Sequence, residues 1–222
     1  MELYEVMRTT FAAREYTGEE LPDEVLYELL DNARFAPSGG NRQGNRVVVV
    51  RDPKLRQQLS KLAEPAAKRY RAQVEADENP WNTVVPTQVT AETIANTPAP
   101  EKLTRPPIEA SVVLVFVVDL KVVASMDQNL DRIGVISGGS IYPFVWNVLM
   151  AARQAGFGGT ITTLAVAQEP KVRELLHIPE DHAVCAVVPL GKPVKQLTKL
   201  KRKSVEQIAT RECFDGVPFS CG

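Results

Sequence analysis

Three short stretches of this chain hold side chains whose types and spacing could do chemistry together. The first is Arg8-Thr9-Thr10, followed by Arg14-Glu15-Tyr16. A guanidinium presents a planar fork of donors to phosphate or carbonyl oxygens, and adjacent hydroxyls add short hydrogen bonds. The second is Pro37-Ser38-Gly39-Gly40-Asn41-Arg42-Gln43, an irregular glycine loop beside amides that donate and accept at once. The third is the basic run Lys199-Leu200-Lys201-Arg202-Lys203-Ser204-Val205-Glu206 in the tail. As a set they suit an anionic, planar ligand. Each alone has a plainer reading: arginines on a solvated helix end, a helix-to-strand turn, and a solvated or nucleic-acid-binding basic tail. A plain turn accounts for the glycines but not for Asn41 and Gln43. The tail lacks the interleaved aromatic residues that would favour nucleic acid.

The rest of the composition narrows the classes. With 222 residues, 44% apolar and 24% charged, the chain can bury a full core, and a disordered or fibrous protein is excluded. Lysine plus arginine number 26 against 27 acids, so a net charge of −1 provides no global field for nucleic acid or an anionic membrane. Any anion site must be local. The opening Met1-Glu2-Leu3-Tyr4-Glu5 is unlike a signal peptide, and the apolar run Val112 to Val118 is too short to span a bilayer, so the expectation is a soluble, cytoplasmic protein. Cys185, Cys213 and Cys221 contain no CxxC pair, and His177 and His182 flank Pro179 without further ligands nearby in sequence. Neither a disulfide framework nor a metal site is expected.

The elements that must position these groups follow from periodicity. A first helix is predicted over Glu2 to Met7, and a second begins near Pro22-Asp23-Glu24 with Val25, Leu26, Leu29, Leu30 and Ala33 on one face. The 37–43 loop then leads into a buried strand at Val47 to Val50. Leu55, Leu59, Leu62 and Ala63 predict a third helix. From about Glu75 to Pro107 the chain is rich in proline and polar residues without steady periodicity, which reads equally as a substrate-selecting lid or a surface loop. A strand at Ser111 to Asp119 is followed by a long helical segment to Gly156, with Ile141, Val145, Val148, Leu149 and Ala152 on one face. Gly158 to Thr163 reads as strand or turn, Glu169-Pro170 opens a helix to His177, and Ala183 to Leu190 is a buried strand. Without regular strand-helix alternation, the expected class is α+β, a mixed central sheet flanked by helices, with residues 1–222 as one domain and 195–222 as a C-terminal extension.

The three stretches, in this order, resemble the RxS...RxF, PSxxNxQ and KRK pattern of the FMN-dependent nitroreductase superfamily, and the likeness runs over nearly the whole chain. Gly156-Phe157-Gly158-Gly159-Thr160-Ile161-Thr162-Thr163 is similar to the segment that family members place beside flavin N5, in a threonine-rich form like that of iodotyrosine deiodinases. The resemblance implies a domain-swapped homodimer with two FMN sites at its interface. It implies that Arg8, Thr9, Thr10 and Arg14 of one chain meet the phosphate, ribityl and pyrimidine edge, with Arg202 completing a phosphate clamp. Ser38, Gly39 and Asn41 would reach the flavin from the other chain, Gln43 would brace that loop, and Ile161, Thr162 and Thr163 would lie near N5.

The implied activity is reduction of a small-molecule electron acceptor, a nitroaromatic, quinone or similar electrophile, by NAD(P)H in a ping-pong cycle. Flavin carries the chemistry, so no catalytic side chain is required beyond a possible N5 hydrogen bond from Thr163. Neither nucleic acid nor membrane is an expected partner. The same resemblance leaves open a reductive dehalogenase, a flavin-cleaving enzyme or a non-catalytic FMN-binding protein for storage or sensing. Three features depart from the family pattern. The Arg8 to Arg14 spacing is longer, Gly44-Asn45 replaces a Pro-Trp pair, and the acidic, tyrosine and lysine lid trio of deiodinases finds no counterpart between Glu64 and Lys102.

Overall fold

The computed structural model describes residues 1–221. Its elements in chain order are α1 (Leu3–Thr9), α2 (Asp23–Ala33), β1 (Asn45–Val50), α3 (Pro53–Glu75), three short helices α4 (Ala91–Asn96), α5 (Glu101–Thr104) and α6 (Pro106–Glu109), β2 (Val112–Asp119), α7 (Tyr142–Gln154), β3 (Gly158–Gly159), α8 (Glu169–Leu176) and β4 (His182–Gly191).

β2 is the reason for the layering. All of Val112 to Val118 is buried, and alternate residues of a strand face opposite ways. Val112, Leu114 and Phe116, with Ala186, Val188 and Leu190 of β4, meet α2 and α7 on one side. Val113, Val115 and Val117, with Val184 and Val187, meet Leu59 and Ala63 of α3, Ala165 of the 3-10 turn before α8 and Val172 of α8 on the other. A strand covered on both faces reads as an unbroken apolar run rather than an alternation, which is how Val112 to Val118 reads.

The strand order is β1-β2-β4-β3, and all three pairings are antiparallel. The mixed sheet expected from sequence is therefore corrected. Its only parallel component among the described residues is a single bridge between Ala12 and Gly159. The helices between β1 and β2 and between β2 and β4 do not act as right-handed crossovers to a parallel neighbour, so the interspersed order of elements was no guide to strand direction.

Two helices differ in extent from the residues that predict them. The third, predicted from Leu55, Leu59, Leu62 and Ala63, runs from Pro53 to Glu75 with Pro65 inside it. Asp52 caps it, accepting a hydrogen bond from the Leu55 amide at 2.9 Å. The long helical segment after β2 begins only at Tyr142, and residues 120–141 are turns and irregular chain with a 3-10 helix at Ile136–Ser140. Those turns are gathered by Asp127, a nearly buried carboxylate that accepts hydrogen bonds from Arg132 (2.7 Å), the Val135 amide (2.7 Å), the Ile136 amide (3.3 Å) and Ser125 (3.0 Å). These donors hold its carboxyl well below the usual carboxylate range. The 75–107 segment, which showed no periodicity, contains α4 to α6. They are too short to show a helical repeat, and they dock on α3 through the Ser60 hydroxyl, which donates to the Thr104 carbonyl at 2.7 Å, and Lys68, which donates to the Ala95 carbonyl at 3.1 Å.

Candidate active site

The 12–17 segment lies along the sheet edge beyond β3. The Ala13 amide donates to the Gly159 carbonyl (3.0 Å), the Thr17 amide to the Lys192 carbonyl (2.9 Å), and the Val194 amide to the Glu15 carbonyl (3.1 Å). The Tyr16 hydroxyl lies 2.9 Å from the Ala13 carbonyl and 3.0 Å from the Pro189 carbonyl, and burial pushes its pKa far above the ordinary value. These bonds fix a turn from which Arg14 projects. Its guanidinium donates only to the Ala12 carbonyl, at 3.3 Å, and is otherwise exposed.

Arg14 stands at one wall of a cavity of about 600 Å³. Thr160, Ile161, Thr162, Thr163 and Leu164 continue that wall. Thr162 is locked there by paired backbone bonds to Val187, at 2.9 and 2.8 Å, while Thr163 is exposed and begins a 3-10 turn over Leu164–Gln168. The lining is completed by Ala66 and Tyr70 of α3, by Pro80 and Trp81, and by Lys102, Leu103 and Pro106. The 75–107 segment thus roofs the cavity. Its Trp81 corner is built from buried polar contacts. Gln73, 2% exposed, accepts a hydrogen bond from the Trp81 amide at 3.2 Å and donates to Glu78 at 3.2 Å. Trp81 itself has a left-handed backbone, φ 56°, an arrangement that costs energy for a bulky residue and is held by its surroundings.

The 37–43 loop lies elsewhere. Ser38, Gln43 and Asn45 line a smaller pocket of about 180 Å³ with Arg34, Arg46 and Phe144, sharing no residue with the large cavity. Gly40, Asn41 and Gln43 all have positive φ. The glycine and asparagine tolerate this and the glutamine is tied down, its amide donating to Ser38 Oγ at 2.9 Å. Gly39 and Asn41 are exposed, and the Gly39 amide donates to Ser140 Oγ at 3.0 Å.

The sequence-nominated residues therefore fall into groups. Arg14, Ile161, Thr162 and Thr163 come together, Ser38, Gly39 and Asn41 share a second place, and Arg8 sits exposed in the last turn of α1. Thr9 and Thr10 are buried, and their hydroxyls donate to the Glu5 and Val6 carbonyls at 2.7 Å each. Thr9 also accepts from Arg153 at 3.0 Å, and Gln196 of the tail donates to its carbonyl at 3.1 Å. The donor capacity of both threonines is thus used inside the chain. Arg202 is exposed, donating to the neighbouring Lys201 carbonyl at 2.8 Å. Among the described residues none of Arg8, Arg14 and Arg202 has an acidic partner.

Tyr70 and Lys102 were not foreseen. No lid trio is legible in the sequence between Glu64 and Lys102, yet both residues line the cavity, without a carboxylate among the described lining residues. Tyr70 carried a readable signal, one helical turn after Ala66 on α3. Lys102, on a four-residue helix flanked by prolines, carried none.

This architecture has relatives. Human iodotyrosine deiodinase 1 is 27% identical over 210 residues, which span 93% of this chain and 67% of the relative. A crystal structure of oxidised iodotyrosine deiodinase bound to FMN and 3-iodo-L-tyrosine superposes with a TM-score of 0.69 at 21% identity, over 96% of this chain and 100% of the other. Nitroreductase A from Vibrio parahaemolyticus gives a TM-score of 0.67 at 19% identity, over 96% and 76% of the two chains. The sequence pattern of the Nitroreductase family matches residues 7–192, and this chain belongs to that family.

Proposed function

We propose that this protein is a homodimeric FMN-dependent oxidoreductase that reduces small organic electrophiles, such as nitroaromatics or quinones, with NAD(P)H. The observation that carries the proposal is one cavity lined both by Arg14 with Thr160–Leu164 and by the apolar and aromatic residues Ala66, Tyr70, Pro80, Trp81 and Leu103. The residues present fit FMN. Three guanidiniums lack acidic partners, and the wall beside Arg14 offers hydroxyls and an apolar flank for a planar ring. The chemistry FMN supplies when bound is hydride transfer from NAD(P)H and delivery of the electrons to an acceptor that follows in the same place, which implies ping-pong kinetics.

The protein's own part is binding, orientation and exclusion of water. Arg14 compensates negative charge at the rim, the Thr163 hydroxyl offers a hydrogen-bond donor inside the wall, and Ile161 presents an apolar flank. Arg8 and Arg202 hold the phosphate. Thr9 and Thr10 act by fixing the helix end that carries Arg8. Ser38, Gly39 and Asn41, which lie outside the cavity of their own chain, serve the site of a second copy. The whole chain, 1–222, is then one FMN-binding domain, with 75–107 as lid and 195–222 as an extension. Exposed apolar side chains support the dimer: Tyr142 and Trp146 on α7, Met126, Leu130 and Ile133 after β2, and Phe214 in the tail all face outward. A reductive dehalogenase is the second reading, favoured by the deiodinase relatives and by Tyr70 and Lys102 in the roof.

Heat-denatured protein is expected to release FMN, identified by chromatography, and anaerobic NADH or NADPH is expected to bleach the bound flavin before a nitroaromatic or quinone restores its colour. Release of FAD, or of no flavin, overturns the proposal, as does a flavin-loaded monomer in sedimentation.

A further inference from the structure

We infer that the roofed cavity selects planar aromatic substrates carrying one negative charge, with Lys102 as the residue that recognises it. The inference rests on the proposed reductase for the reaction that follows, but not for the binding itself. Two aromatic side chains, Tyr70 and Trp81, stand in the roof. The indole is not a free rotor: Arg69, which does not line the cavity, holds its guanidinium 4.2 Å from the ring centroid, and the Trp81 amide is bonded to buried Gln73. A fixed indole is a stacking platform prepared before the substrate arrives, which reduces the ordering cost of binding.

The charge of the roof is one-sided. Lys102 is among the lining residues, and the two acids on the same short helices are engaged elsewhere: Glu101 and Glu109 both pair with Arg105, the former at 3.3 Å. Among the described residues Lys102 has no acidic partner, and no carboxylate lines the cavity. Arg14, the cavity's other cation, belongs to the segments assigned to the cofactor. An aromatic carboxylate can therefore stack on Trp81 and place its oxygens on Lys102, with the Tyr70 hydroxyl as a neutral donor. A zwitterion fits worse, because its ammonium finds no anionic partner in the wall, and an uncharged ring leaves Lys102 unused. This separates the substrate class from that of an amino-acid dehalogenase within the same fold.

The test uses isothermal calorimetry on the purified protein with 4-nitrobenzoate and its methyl ester, which share the nitrophenyl ring and differ by the charge and one methyl group, with 4-nitrobenzamide as a neutral ligand of the anion's size. Wild type is expected to bind the anion at least tenfold tighter than the ester. Lys102→Met is expected to reduce that preference to about twofold or less, and Lys102→Arg to keep most of it, with bound FMN equal in all three. Equal affinities in wild type, an undiminished preference in Lys102→Met, or a loss of FMN that tracks Lys102 would each overturn the inference. Protein that carries no flavin but keeps the preference would refute the proposed reductase and leave the anion site standing. Flavin-loaded, NAD(P)H-reducible protein without the preference would do the reverse.

Discussion

Replacing Gly159 with alanine tests the packing that carries the Arg14 turn. An added Cβ would lie 2.5 Å from the Pro189 carbonyl oxygen, 2.7 Å from Leu190 Cδ2 and 3.2 Å from Leu149 Cδ2. The leucine methyls can swing aside, but the carbonyl cannot move freely, since it belongs to β4 and stands 3.0 Å from the Tyr16 hydroxyl. Overpacking of this kind costs about 1 to 3 kcal/mol, offset by up to about 1 kcal/mol from the stiffer unfolded chain. A net loss of about 1 to 2 kcal/mol should lower Tm by about 2 to 8 °C for a chain of this size. Gly139→Ala is the control. Nothing stands within 4 Å of its added Cβ, so that variant should equal or slightly exceed wild type. Near-ultraviolet circular dichroism melts at one protein and flavin concentration give the comparison, because ligand and subunit binding both shift Tm. A Gly159→Ala protein as stable as Gly139→Ala would refute the reasoning that β3 depends on a contact only glycine allows.

Three further outcomes follow from the same structure. Arg202→Ala should weaken FMN binding about tenfold to a hundredfold, the loss of one charge-assisted contact of about 1.5 to 3 kcal/mol, while Lys199→Ala changes little; flavin fluorescence at matched salt decides, and equal affinities would return the tail to a solvated basic run. Asp127→Asn should destabilise the fold near neutral pH. Because the folded-state pKa lies below the ordinary value, the carboxylate's stabilisation is present above about pH 4 and lost as pH falls below it, so urea unfolding should show the variant's deficit shrinking in acid. Burial pushes the Cys185 thiol up to about 12, so about 10⁻⁴ of it is ionised at pH 8 and iodoacetamide should label exposed Cys213 and Cys221 long before it, with mass spectrometry locating the adducts.

What was legible in the sequence depended on local signals. Pro22 and Glu169-Pro170 announced α2 and α8 because proline suits a helix start, and the runs in β2 and β4 announced buried strands because both faces are covered. The far half of α3 was hidden twice. Pro65 reads as a terminator, and the buried side beyond it is made of Ala66, Ala67 and Ala72, which give little amphipathic contrast. The periodic residues after β2 lie at 141–152, inside or next to α7, and residues 120–140 carry no period because their shape is set by Asp127 reaching donors up to nine positions later. At the site, Arg14 and Ile161 to Thr163 were readable as segments, but their meeting depends on the bonds between 13–17 and the sheet edge. Thr9 and Thr10 were readable as hydroxyls and not as hydroxyls whose protons are already given to Glu5 and Val6.

The two walls of the cavity stand in different relation to the family. The Arg14 and Thr160–Leu164 wall is tied by backbone bonds to the sheet edge, so side chains there can vary only where the pairing with Gly159, Val187 and Lys192 survives. The roof answers to weaker demands. It docks on α3 through few side-chain bonds, among them those of Ser60 and Lys68. Relatives of about one-quarter identity can therefore share the sheet, the turn and the fold while placing different charges over the same space. Fold similarity alone does not transfer a substrate from one to another. In this chain the deciding facts are local: Arg105 takes both acids of α5 and α6, Ala66 offers no charge, and Lys102 remains as the roof's single cation among the described lining residues.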